Sequence, residues 1–189
     1  MKCGSSEFRI RQAASIIHNG GIVAYPTEAV YGLGCNPLNA QAVARIFALK
    51  NRPGDKGLIL IAADYLQAEK YIGTIPQSAR ERCLANWPGA ITWIFPASDQ
   101  VPEWLRGNRA TIALRVTAHP LAAALCRQAG YPLVSTSANR SGSRPLSTAL
   151  GVRRVFGSQL DFILTGALGG RKRPTPIYDA LTGDVVRPS

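Results

Sequence analysis

The sequence predicts an α/β or α+β domain built on a central, twisted, mostly covered mixed sheet flanked by helices, and three observations point there. Stretches with helical periodicity alternate with strand-length apolar runs along the whole chain. Several of those runs, residues 58–63 among them, are apolar at every position, as strands covered on both faces are. At 189 residues, 46% of them hydrophobic, the chain can bury a full core, and nothing in it asks for a division, so residues 1–189 read as a single domain.

The first helix spans residues 8–18, where Phe8, Ala13, Ala14, Ile16 and Ile17 share a face and Asn19, Gly20 and Gly21 stop the pattern. A buried strand at 22–25 runs into the loop PTEAVYGLGC. There Pro26 ends pairing, and Gly32 and Gly34 let the backbone approach a ligand or another segment closely. Asn39 caps a helix over 40–50 whose apolar side is Val43, Ile46, Phe47 and Leu49, and whose exit delivers Lys50 and Arg52. After the strand at 58–63, Asp64 starts a helix to 71, and Pro76 sits in the first turn of another that runs to 87.

Pro88 and Gly89 break that helix, and strands follow at 91–95 and 111–116. His119 and Pro120 open a helix to 128 that Gly130 closes, leading into a strand at 133–135. Beyond the polar SANRSGSRP loop come a helix over 147–156 and a strand at 162–164. The basic GALGGRKRPTP loop then precedes short strands at 177–180 and 185–187. No repeat, heptad or disordered tail interrupts the pattern.

Lys and Arg number 22 against 11 Asp and Glu, and 17 of the 22 are Arg, whose planar fork pairs bidentately with phosphate. A polyanionic partner is therefore expected, with solubility as the plainer reading of the charge. Cys3, Cys35, Cys83 and Cys126 form no CxxC pair, and only His18 and His119 accompany them, so the sequence offers no zinc site. The polar, charged start MKCGSSEFRIRQ shows no signal-like leader, and no apolar run nears the ~20 residues needed to span a bilayer. Reduced thiols and a cytoplasmic location are expected.

Familiar catalytic schemes find little material here. GxSxG, GxxxxGK[ST] and GxGxxG are all absent, and of the few acids only Glu28 falls in a distinctive loop. Catalysis would have to rest on positioning and positive charge. Lys50 and Arg52 leave their helix two positions apart, so both heads are able to meet one anion, although cations at a helix C-terminus are also stabilised by its dipole. Ser135, Thr136, Ser137, Ala138 and Asn139 follow a buried strand, where ligands of open sheets bind, or form a simple turn.

Arg115, inside the apolar strand IALRV, needs either an internal acid or a carboxylate ligand. Thr27, between Pro26 and Glu28, offers a fixed hydroxyl. Arg171, Lys172 and Arg173, with Arg140, Arg144, Arg153 and Arg154 upstream, suit sequence-blind contact with structured RNA better than stacking of single-stranded bases, for want of interleaved aromatics.

With these residues in hand, the chain closely resembles the YrdC/TsaC family of threonylcarbamoyl-AMP synthases, through AYPTEAVYGLGC, KNRPGDKGLILIAA, NWPGAITWIFPA, ALRVTAHPLAAALC, PLVSTSANRSG and YDALTGDVVR in order. The resemblance implies a twisted α/β fold with a basic concave face. It also implies that L-threonine, bicarbonate and ATP, the last with Mg2+, give threonylcarbamoyl-AMP and pyrophosphate for threonylcarbamoyladenosine at position 37 of tRNA. Carried over, Lys50 and Arg52 would act catalytically and hold the triphosphate, with Ser137, Asn139, Ser147 and Arg187 gripping the nucleotide. Thr27, Arg115 and Thr175, the last where the family more often has serine, would bind threonine.

RNA contacts would fall on Arg171, Lys172 and Arg173, and the product would pass to separate threonylcarbamoyl-transferase proteins. Longer relatives carry NPLIVH where this chain has KGLILI, which replaces a threonine-contacting histidine with Ile61. They also carry a further C-terminal domain, so the chain reads as the short bacterial form. The rival class is a non-catalytic double-stranded RNA or tRNA-binding module, for which PTEAVYGLG and KNRP would be surplus. A second rival, carbamoyl-adenylate formation as in hydrogenase maturation proteins, lacks its zinc-finger cysteines here.

Overall fold

The structure is a computed structural model that describes residues 3–54 and 56–188. In chain order its elements are α1 (Cys3–His18), β1 (Val23–Pro26), β2 (Tyr31–Gly34), α2 (Ala40–Lys50), β3 (Ile59–Ala62), α3 (Tyr65–Glu69) and α4 (Gln77–Leu84). There follow β4 (Thr92–Pro96), α5 (Glu103–Arg106), β5 (Thr111–Val116), α6 (Pro120–Ala129), β6 (Leu133–Ser137) and α7 (Ala149–Phe156). The last three are β7 (Phe162–Ile163), β8 (Ile177–Asp179) and β9 (Val185–Arg187). Side-chain caps fix several helix starts: Asn39 accepts from the Ala42 amide at 2.9 Å and Asp64 from that of Gln67 at 2.9 Å.

The strands form one mixed sheet in the order β7-β1-β2-β6-β3-β5-β4-β8-β9. Pairs β1–β7, β3–β5 and β4–β8 are parallel and the others antiparallel. Because side chains alternate across a strand, the register sorts the sheet into two faces. Ala24, Leu33, Leu60, Trp93, Phe95, Ile112, Leu114 and Val134 point to one face, where α2, α3, α4, α5 and α7 bury them through residues such as Val43, Ile46, Ala68, Cys83, Leu105 and Phe156. On the other face Val23, Tyr25, Ile61 and Leu133 pack under α1 and α6 through Ile10, Ala13, Ile17, Leu125 and Cys126. Those two helices cover only part of that face.

The expected mixed, helix-flanked sheet is therefore present, with local differences. PTEAVYGLGC is a hairpin, not a loop: Pro26 still pairs with Tyr31, and YGLG is the buried strand β2. Glycine serves there because a Cβ on Gly34 would lie 2.7 Å from the Tyr25 ring. Helix α4 ends at Leu84 and not at 87, since a residue before proline avoids the helical region and Trp87 turns into the core, donating to the Ile91 carbonyl at 2.9 Å. Helix α5 has no counterpart in the sequence pattern, being a single turn too short to show periodicity. Cys35, Cys83 and Cys126 are free, buried thiols, and burial pushes each up to about 12; the Cys3 thiol lies outside the described residues. Among the described residues no helix is long and apolar enough to cross a membrane.

Candidate active site

Where α1 and α6 stop, the same sheet face opens into a cavity of about 670 Å³. Its floor follows from residue size. The positions facing it are Gly32, Ser137, Ser135, Ile59, Ala113 and Ile94, and the register sets them side by side: Gly32 against Ser137, Ser135 against Ile59, Ile59 against Ala113, Ala113 against Ile94. Four of the six have side chains no larger than a serine, so the strands leave room that Tyr25, Ile61 and Leu133 fill elsewhere on the face. Five arginines border the space: Arg52, Arg106, Arg109, Arg115 and Arg187.

Arg115 is the most constrained of them, its side chain only 7% exposed. Of the two answers the sequence allowed for it, the internal acid is the one in place. Its Nη2 lies 3.4 Å from Glu28 Oε2, and its Nη1 donates to Thr175 Oγ1 at 2.8 Å, yet its Nε has no partner and the residue borders the cavity. Thr117 donates to Glu28 Oε1 at 2.6 Å and accepts from the His119 amide at 3.1 Å. Burial alone would raise the Glu28 carboxyl, but the Arg115 charge and the Thr117 hydroxyl outweigh it and hold the group below its ordinary range. Arg187 donates to the Thr175 carbonyl at 2.9 Å, and Thr27 is pinned through its hydroxyl to the Val30 carbonyl at 2.7 Å. The arginine pair, the threonines and the carboxylate are thus each held by partners within the protein.

Lys50 and Asn139, far apart in sequence, meet. The buried Lys50 ammonium donates to the Ser137 carbonyl, to the Asn139 carbonyl at 2.8 Å and to Asn139 Oδ1 at 3.2 Å, while Ser137 Oγ donates to Asn139 Oδ1 at 2.6 Å. The Ser141 amide closes the clasp on the Lys50 carbonyl at 2.7 Å. Asn51 makes the geometry possible by taking the left-handed conformation, φ 48°, which turns the chain as α2 ends. Burial, and then the nearby Arg52 charge, lower Lys50 to about 8. The two cations of KxR do not converge on one point: Arg52 donates instead to the Gly57 carbonyl at 2.8 Å.

The other expected residues divide. Thr27, Arg52, Arg115, Ser137, Thr175 and Arg187 border the cavity; Lys50 and Asn139 stand behind its wall; Ser147 is exposed outside it. Ile61 is fully buried on the covered half of the face and does not border the cavity. Arg171, Lys172 and Arg173 are exposed on the loop that crosses the β1–β2 hairpin, where the Arg171 amide donates to the Glu28 carbonyl at 2.9 Å. Arg106 and Arg109 were not singled out from the sequence, where a lone i, i+3 arginine pair in WLRGNRA looks like any solvated loop.

The family model Sua5_yciO_yrdC, described as "Telomere recombination", matches residues 15–189. The chain is 53% identical over 184 residues to a protein named threonylcarbamoyl-AMP synthase from Halorhodospira halophila, covering 97% of this chain and 96% of that one. A protein of the same name from Nitrosococcus oceani is 54% identical over 180 residues, covering 95% and 97%. Among solved structures, P. abyssi Sua5 complexed with L-threonine superposes with a TM-score of 0.87 at 37% identity. That match covers 92% of this chain but 51% of the other, so the chain spans about half of that protein's length.

Proposed function

From the premise that the chain belongs to the Sua5/YciO/YrdC family, we propose that it is an enzyme forming threonylcarbamoyl-AMP and pyrophosphate from L-threonine, bicarbonate and ATP, for threonylcarbamoyladenosine in tRNA. The observation that carries the reading is the arginine-walled cavity, bordered by residues of the PTE hairpin, the KxR turn, β5, β6 and the C-terminal strand together. Threonine's amine and bicarbonate give a carbamate with loss of water. A carbamate oxygen then attacks the α-phosphorus of ATP, and the bond to the bridging oxygen of the leaving pyrophosphate breaks. No side-chain nucleophile is needed, because the reaction joins two anions and gains most from alignment and fixed positive charge.

Arg115, with Thr27 and Thr175, takes the threonine end, its unpartnered Nε adding to the donors it turns to a carboxylate. Arg52, Ser137 and Arg187 face the nucleotide. Lys50 acts through the loop it clasps, fixing Ser137 and Asn139, while Ser147 contributes from outside the wall. Mg2+ enters with ATP as part of the substrate, held by phosphate oxygens; among the described residues the cavity wall brings it no carboxylate, since Glu28 is turned to Arg115 and Thr117. The exposed Arg171, Lys172 and Arg173 meet tRNA, and the labile product passes to threonylcarbamoyl-transferase proteins in the cytoplasm. Residues 1–189 work as one domain.

The test is pyrophosphate release from ATP by the purified chain, with threonine and bicarbonate each omitted in turn. Release should need both. Release indifferent to threonine would overturn the synthase reading, and tRNA binding without any turnover would hand the chain to the RNA-binding module.

A further inference from the structure

We propose that Arg106 and Arg109 form a polyphosphate-binding pair at the outer end of the cavity, taking the two phosphates beyond the reacting phosphorus and holding them as they leave as pyrophosphate. The inference rests on the adenylate-forming reading above and adds residues that lie outside the PTE, KxR and SxN elements.

Backbone pairing brings the two arginines to the KxR turn. The Leu58 amide donates to the Leu105 carbonyl at 2.8 Å, and Lys56 and Gly107 form an isolated antiparallel bridge. Gly107 allows the approach by adopting φ 60°, a conformation that side chains resist. Gly57 is then flanked by two guanidinium groups. Arg52 donates to its carbonyl at 2.8 Å, and Arg109 Nη1 lies 3.3 Å from where a Gly57 Cβ would stand. Arg106 donates to the Arg109 carbonyl at 2.7 Å, which ties the pair together through the main chain.

Neither Arg106 nor Arg109 has an acidic partner among the described residues, although arginines elsewhere do: Arg45 pairs with Asp161, Arg80 with Glu69 and Arg115 with Glu28. Arg106 and Arg109 border the same cavity, and a ligand of high negative charge density relieves the repulsion between cations gathered there. The axis of β5 sets the direction. Arg115, Ala113 and Thr111 face the cavity in turn, the first and last roughly 13 Å apart at a strand's rise, and Arg109 lies just beyond Thr111. With a carboxylate at Arg115, the opposite end receives the part of the nucleotide farthest from threonine. A guanidinium pair suits pyrophosphate because each fork presents parallel donors to phosphate oxygens.

The experiment measures binding of inorganic pyrophosphate and of AMP, separately, to the full chain and to Arg109→Ala, Arg106→Ala/Arg109→Ala and Arg106→Lys/Arg109→Lys. The double alanine variant should lose about tenfold or more in pyrophosphate affinity and in kcat/KM for ATP, with AMP binding held within about twofold and partial recovery in the lysine pair. Exposed Arg109, substituted alone, should give a smaller loss of the same kind without disturbing the fold. Unchanged pyrophosphate affinity would overturn the inference, as would equal losses for AMP and pyrophosphate or a loss confined to tRNA binding. If the unaltered chain bound pyrophosphate through this pair yet released none from ATP, the synthase reading would fall and the site would stand.

Discussion

One face of the sheet carries two regions built on the same strands with opposite outcomes. At one end Tyr25, Ile61 and Leu133 rise from β1, β3 and β6 and require α1 and α6 to cover them. A register step away, the small side chains of Ser135, Ser137 and Ala113 and the bare Gly32 on β6, β5 and β2 leave room beside Ile59 and Ile94, no helix among the described residues covers them, and the space becomes the cavity. The difference teaches that side-chain volume along the strands, more than the strands themselves, decides which half is core and which is site. Arg115 stands at the boundary, level with Ile61 in the β3–β5 register, and belongs to both.

Arg115→Ala attacks that boundary and should have the largest effect. It leaves the Glu28 carboxylate buried without its counter-charge, a loss of about 3–5 kcal/mol, and threonine-dependent turnover should disappear with it. Chemical denaturation should also show the deficit narrowing on acidification, because a protonated Glu28 needs no counter-charge. In the unaltered chain the sign is reversed: Glu28 is held below its ordinary value of 4.5, so its contribution is complete above that pH and is lost as pH falls through the lowered value.

A matched pair separates the halves next. Ile61→Ala in the covered half should cost about 2–5 kcal/mol of stability with ATP affinity little changed, whereas Ala113→Leu on the floor should cut ATP affinity by about tenfold or more with a small change in Tm. If both lose stability alike and bind alike, the division of the face is wrong.

Lys50→Met opens the clasp behind the cavity wall. Nucleotide affinity should fall even though Lys50 does not border the space, and the pH dependence identifies the cause. Lys50 is lowered from 10.5 to about 8, so between those values the folded chain has released a proton that the unfolded chain retains. Stability of the unaltered chain relative to Lys50→Met should therefore rise across that window, by roughly 3 kcal/mol at most. A flat difference would mean that Lys50 titrates as in water. The smallest effect on stability, within about 0.5 kcal/mol, belongs to neutral substitution of exposed Arg171, Lys172 and Arg173, which should nonetheless flatten the salt dependence of tRNA binding.

Much of this was legible in the chain itself. Asn39, Asp64 and His119 announced their helices because a cap is a local hydrogen bond, and the apolar run at 58–63 announced β3 because burial leaves a continuous pattern. Arg115 was marked as needing a partner because a guanidinium in an apolar strand is costly wherever the strand lies. The glycine-rich β2 escaped notice, since its extended form depends on strands supplied by distant segments, and so did α5, one turn long.

By itself, then, the sequence determined the mixed α/β class, the excess of arginine and the motif residues, because propensity, periodicity and charge are carried by neighbours along the chain. Tertiary structure alone decided that the Lys50 ammonium turns to the SxN carbonyls while Arg52 turns to Gly57, and that Arg106 and Arg109 arrive beside them. Which partner a long cationic side chain takes depends on which acceptors distant strands bring within about 3 Å, and no local pattern encodes that distance.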